Sequence, residues 1–253
     1  MWMIPTDRRY SYEQADASVD KTKSQVQKVL QSLTNSTFRK AVFGGTDDWL
    51  DVIAPESKNA ALKLIQAYSN TTTRYVQAQA IIEDTWKLYF MVRKYPWHGT
   101  KITKPDHLHF VWLSFTHHCY LFEERMKKFY SDWSILREQV GESPVDGGDH
   151  ITRISKRLNE YIKHRGIHTH QWNITHNSYR PYEIVSFLHE NTDDEYGEQE
   201  RYFYFESKQE IKAHIQSGVG VMADEFQNLS GAPHEQLGSL SIRIGETLFP
   251  QSV

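Results

Sequence analysis

What the chain lacks bounds its chemistry before any motif is read. It has one cysteine, Cys119, in 253 residues, which excludes a disulfide framework or a cysteine-based zinc module within one copy. That usage suits a reducing compartment, and a cytoplasmic protein is expected. Long hydrophobic runs are also missing. The longest, Leu88 to Val92, falls far short of the roughly 20 residues a membrane-spanning helix needs. The opening MWMIPTDRRYSYEQ has no apolar signal-peptide stretch, so no membrane partner is expected. Nor is there a Gly-rich phosphate loop, a serine nucleophile elbow, a pair of glycosidase-like carboxylates or a fixed-period repeat. Basic charge is not in excess: 29 Lys+Arg against 32 Asp+Glu give a net −3. That argues against a coat of positive charge but leaves room for one basic face.

What is present is an ordinary globular composition, 39% hydrophobic and 24% charged, with 13 histidines. The length fits one large domain or two small ones. Apolar positions recur at helical spacing from Ser11 to Leu33, from Pro55 to Tyr68 and from Thr72 to Lys94. Asn70 to Thr73 either interrupts the last two or bends one long helix. Phe43-Gly44-Gly45 breaks the pattern, and the acidic TDDW after it suits a short helical turn. The clearest helix follows Pro105, where Leu108, Trp112, Phe115, Cys119, Phe122, Met126, Phe129 and Trp133 alternate steps of four and three. Such a seam is buried against neighbouring helices.

After the turn-rich SPVDGGD, another helix carries Ile151, Ile154, Leu158, Tyr161 and Ile162, and Gly166 is expected to stop or bend it. Further on, Pro181 to Leu188 suits a helix, Glu190 to Glu200 a mobile acidic loop, and Arg201 to Phe205 (RYFYF) an extended element. Helical period returns from Ser207 to Leu229, with Gly218 and Gly220 inside it at some cost. The last 20 or so residues carry no clear pattern. The expectation is an all-α helical bundle of about six to eight helices with at most a small extended element. It would comprise a helical N-terminal region, 1–96, and a helical domain, 105–253, which can pack as one unit.

One helix stands apart in charge. Between Arg153 and Arg165 lie five Lys/Arg against one Glu, namely Arg153, Lys156, Arg157, Lys163 and Arg165 against Glu160. The plain reading is a solvated face; the functional one is a strip that attracts phosphate. The strip runs into Arg165-Gly-Ile-His-Thr-His170. An Arg followed within a few residues by His, at the end of a basic helix and after a long apolar-seamed helix, resembles the motif of HEPN-type domains. The likeness covers about residues 107–177. It implies a helical bundle of the kind found in prokaryotic toxin–antitoxin, abortive-infection and CRISPR-linked systems, many members being metal-independent ribonucleases. Carried over, it makes Arg165 and His170 catalytic with His168 beside them. Arg153, Lys156, Arg157, Lys163 and His164 would bind RNA, and two protomers would join their motifs in a homodimer. An antitoxin or another regulatory protein is a further partner of such systems. Where HEPN ribonucleases usually carry a polar residue after the Arg, this chain has Gly166.

The chemistry suits those residue types. RNA supplies its own 2′-hydroxyl nucleophile, so cleavage needs a proton acceptor, charge stabilisation and no metal. His170, with an ordinary pKa near ~6.5, exchanges protons at neutral pH, and Arg165 holds phosphate oxygens in a bidentate grip. His118 and Glu124, on the preceding helix, are candidates to support that pair. A hydrogen-bonded core histidine and a surface pair of Glu124 with Lys127 or Lys128 are the plain readings. No metal or cofactor is expected. His164 and His168 share a face only in a continued helix, His168 and His170 only in an extended segment, and no His-Glu-x-x-His occurs. Trp172, Tyr179 and Tyr182 invite a base-stacking reading, although most aromatics sit at core spacing. The alternatives are a non-catalytic helical binding or scaffold protein and, behind it, a metal-dependent helical hydrolase.

Overall fold

The structure is a computed structural model describing residues 10–44, 48–93, 102–170, 179–192, 196–229 and 233–249, without the side chains of 48, 164–170, 179–181 and 183. Among the described residues the chain is all-α. Its helices are α1 (Tyr12–Gln31), α2 (Ser36–Phe43), α3 (Lys58–Arg93), α4 (Lys104–Gln139), α5 (Gly148–His170), α6 (Tyr179–Asn191), α7 (Gly197–Gln227) and α8 (Pro233–Leu248). Two short 3₁₀ turns, Asp48–Val52 and Pro55–Ser57, precede α3. No helix among the described residues is long and apolar enough to cross a membrane.

The chain divides into two compact units. The first comprises Met1–Val19, Ile81–Leu121 and Lys156–Ala223; the second comprises Asp20–Ala80, Phe122–Ser155 and Asp224–Val253. Each draws on both the N-terminal region and the remainder of the chain.

The seam of α4 is buried as its spacing predicts. Leu108, Phe115, Cys119, Phe122, Met126, Phe129 and Trp133 are fully enclosed, and Trp112 almost so. Burial pushes the Cys119 thiol far up, with the charge of Glu160 adding to the effect. Asn70 to Thr73 does not interrupt α3. Thr71 and Thr72 lie fully buried inside it, and Thr71 Oγ1 donates to the Ala67 carbonyl one turn back at 2.8 Å.

Three expectations differ from the structure. Arg201 to Phe205 is helical, within α7, because Glu200, Ser207 and Ile211 bury one helical face and outweigh the strand preference of four adjacent aromatics. Glu198 and Glu200 belong to the same helix; Glu200 is buried and paired with Lys104 at 3.4 Å, while Asp193, Asp194 and Glu195 lie outside the described residues. Gly166 does not stop α5, which continues to His170.

In the second unit α2 owes its start to Asn35. That side chain accepts the Phe38 N–H at 3.0 Å and donates to the Phe249 carbonyl at 3.1 Å, so it caps α2 and ties it to the end of α8. Tyr68 Oη donates to the Leu237 carbonyl at 3.1 Å from the buried side of α3.

In the first unit Gly218 is no mere tolerated weakness. A Cβ there would lie 2.6 Å from the Phe115 ring, and one at Gly220 would run into Tyr10. Both glycines let an aromatic ring lie against bare helix backbone. On propensity alone Gly218→Ala would stabilise α7 by about 1 kcal/mol. The steric conflict with a fully buried ring predicts the opposite sign, a loss of about 1–3 kcal/mol. Thermal melts of G218A decide it, and a raised Tm would show that the contact yields freely.

Candidate functional site

The basic helix α5 takes its orientation from its apolar residues. Ile154, Leu158 and Tyr161 are buried, while Arg153, Lys156 and Lys163 are exposed and Arg157 is half-buried. In the first unit Phe115 meets the Tyr161 ring nearly edge-on at 5.0 Å, and Arg157 Nη2 donates to Tyr10 Oη at 3.2 Å. Lys156 and Lys163 stand seven positions apart and so on one line of the helix. His170 lies seven positions further and its backbone falls on that same line. Arg165 and His168 instead continue the register of Ile154, Leu158 and Tyr161. The Arg165 and His170 positions are about 140° apart around the axis at about 100° per residue. The side chains of His164, Arg165, His168 and His170 lie outside the described residues, as does Trp172.

Arg153 is committed elsewhere. In the second unit its Nε donates to Glu225 Oε2 at 2.8 Å, while its side chain stays 52% exposed. Glu225 is almost wholly buried, and His150 Nε2 faces the same oxygen at 2.9 Å, close but short of hydrogen-bond alignment. The other ring nitrogen, Nδ1, meets Tyr130 Oη. A Cβ on Gly147 would collide with the Tyr130 ring, so the turn before α5 holds that phenol in place. Sequence reasoning passed over this Tyr130–His150–Glu225–Arg153 chain. Its one local signal is a pair of carboxylates, Asp224 and Glu225, set between the apolar stretch Val219 to Ala223 and Phe226. The group carries an interior carboxylate in hydrogen-bonded form, which its burial demands.

The two supporting candidates have partners of their own. His118 in the first unit is half-buried, with Nδ1 3.2 Å from Thr85 Oγ1. Burial holds its pKa below the ordinary histidine value, with Asp84 opposing and His117 adding to the lowering. His107, its Nε2 3.0 Å from the Met91 carbonyl, is lowered for the same leading reason, with the Met91 carbonyl opposing and Lys208 adding. In the second unit Glu124 accepts from Lys127 at 3.0 Å, and Lys127 also bridges to Glu123 at 2.8 Å. Tyr182 is fully buried in the first unit, which makes it packing rather than an open stacking surface. Among the described residues no group of three His, Cys, Asp or Glu side chains is placed to hold a metal ion. No family model matches the chain, and no curated protein or solved structure matches it either.

Two outcomes follow. Removing the cation from buried Glu225, as in Arg153→Met, should cost about 1–3 kcal/mol. Adding Glu225→Gln to that variant should recover part of the loss. A double-mutant cycle by urea denaturation measures the coupling, and strict additivity would show that the pair contributes nothing. Second, His107 and His118 have folded pKa values below their unfolded ones, so the unfolded chain binds more protons in the window beneath about pH 6.5. Their contribution is complete above that pH and is lost as pH falls toward the folded values. Tm should drop between pH 7.5 and 5.5, and the drop should shrink in His118→Gln.

Proposed function

We propose that the chain is a HEPN-like, metal-independent endoribonuclease or a toxin-type relative acting in prokaryotic defence or stress response. The reading rests on the resemblance at Arg165-Gly-Ile-His-Thr-His170, and one observation carries it. In the first unit exposed Lys156 and Lys163 form a line on α5 that reaches the His170 position, opposite the buried Leu158 and Tyr161. RNA phosphates attracted to that line would be led to a proton-transfer group. Arg157 and His164 flank the path. His170 accepts the 2′-hydroxyl proton, Arg165 stabilises the charge that builds on the phosphate, and His168 supplies the second proton transfer. No cofactor takes part.

The register places a demand on this mechanism. Backbone positions about 140° apart on one helix do not converge, so the proposal requires a homodimer in which Arg165 of one copy meets His170 of the other. An antitoxin or other regulatory protein would act by covering that junction.

A second reading, a non-catalytic binding protein, is favoured by a separate observation in the first unit. Ile184 and Phe187 on α6 are 59% and 66% exposed, and Tyr202 and Phe205 on α7 are 60% and 57% exposed. Each pair stands opposite its helix's buried face, and apolar pairs of this kind are what partner proteins cover.

The test is RNA cleavage in excess EDTA. The wild-type protein should cut, and Arg165→Ala and His170→Ala should each lose at least about a hundred-fold in rate. Mixing the two inactive variants should restore about a quarter of the activity if subunits exchange freely, because half the dimers then hold one intact junction. RNA left whole by the wild-type protein at high concentration favours the binding reading.

A further inference from the structure

The cations of the first unit are not all neutralised. Arg93 ends α3, and Lys208 and Lys212 stand one turn apart on α7. Lys208 Nζ donates to the Arg93 carbonyl at 3.3 Å and lies 5.1 Å from the centre of the Tyr204 ring. Lys212 Nζ lies 5.8 Å from the centre of the Tyr89 ring. Lys104, also near Tyr204 at 5.5 Å, is matched by Glu200. Among the described residues Arg93, Lys208 and Lys212 have no carboxylate in ion-pair reach. Burial and the charge of Arg93 push the Lys208 ammonium below its ordinary value. Burial, Lys208 and Arg93 together do the same to Lys212.

One structural role accounts for part of this. An ammonium on the last carbonyl of a helix favours the helix dipole, which explains Lys208. It does not explain Lys212 or the guanidinium of Arg93, whose like charges crowd that cap. Lys208 and Lys212, partly withdrawn from water beside the exposed Arg93, repel it and each other at a cost that a bound anion removes.

The aromatic surroundings narrow the anion. Tyr89 stacks on Trp86 at 4.9 Å and 18°, and Phe90 stands edge-on to Tyr89 at 5.6 Å with 40% of its surface exposed. Lys212 beside Tyr89, with the exposed Phe90 ring next to Tyr89, matches a phosphate backbone with unpaired bases, which stack on side chains as duplex bases cannot. Anionic membranes are met by clusters of roughly four to eight basic residues, more than the three here.

We infer that Arg93, Lys208 and Lys212 form a binding site for the phosphates of single-stranded RNA, with Phe90 offering its ring to a base. The site lies on α3 and α7, apart from the α5 line. It rests on the proposed function only for the identity of the strand, and it needs no cleavage.

Binding is therefore read in the Arg165→Ala/His170→Ala protein, in EDTA, by fluorescence anisotropy of a short labelled oligouridylate. Adding Lys208→Gln and Lys212→Gln should weaken binding about ten-fold. It should also lower the slope of log affinity against log salt by about 1.4, two contacts at about 0.7 each. Phe90→Ala should weaken binding and leave the slope unchanged. Thermal melts of each variant confirm that it stays folded, and the exposed Arg93→Gln serves as an independent second variant.

Unchanged affinity and slope in these variants would overturn the site while leaving the α5 proposal standing. A lysine-dependent loss of binding in a protein that never cleaves RNA would sustain the site and sink the nuclease. No oligouridylate binding at all, or lysine-dependent capture by phosphatidylserine vesicles instead, would overturn it.

Discussion

The apolar seam of α4 is the constraint on which the other elements depend. From Leu108 to Trp133 every seam residue is withdrawn from water, and each of the larger side chains contributes about 1.5–3 kcal/mol by its removal. Segments of that one helix belong to both compact units, so each unit builds its interior around a stretch of the same regular repeat. A seam of Trp, Phe, Met and Cys has no hydrogen-bonding capacity to spare, apart from the two indole N–H groups. Polar groups must therefore be satisfied elsewhere, at helix ends and at a few interior positions.

Each unit matches a buried carboxylate, Glu200 to Lys104 in the first and Glu225 to Arg153 in the second, but a group of partly exposed cations in the first is left unmatched. In the second, Glu225 is surrounded by groups that can share its charge, Arg153 directly and His150 beside it. In the first, Arg93, Lys208 and Lys212 are gathered without an opposing carboxylate among the described residues. The former arrangement is what a folded interior requires. The latter costs stability, and stability is commonly given up where a surface must receive something. A net charge of −3 averages these arrangements and conceals both.

Much of the fold was legible in the sequence because burial follows period. The steps of four and three in α4 and the spacing Ile211, Ile215, Val219, Met222, Phe226 in α7 can be read directly, and both sets are buried. What escaped depends on distant partners. α2 is short, and its cap Asn35 is tied to residues more than 200 positions away. RYFYF has strand character locally, and only Ser207 and Ile211 beyond it reveal the helical face. Gly218 reads as a flaw until Phe115 is placed against it. The basic strip of α5 was legible as charge, yet the sequence could not show that Arg153 leaves it for Glu225. The lysine pair on α7 gave no signal, because its meaning comes from Arg93 and Tyr89 on another helix.

The solitary cysteine has a practical consequence. Cys119 is fully buried at the middle of the α4 seam, and its thiolate is strongly disfavoured there. Thiol reagents are electrophiles that the thiolate attacks, so the folded chain offers them little to react with. Any labelling must pass through an opening that exposes the middle of α4. The native sequence thus contains its own kinetic clock, in which the rate of modification at one sulfur counts the excursions of the core helix from its packed state.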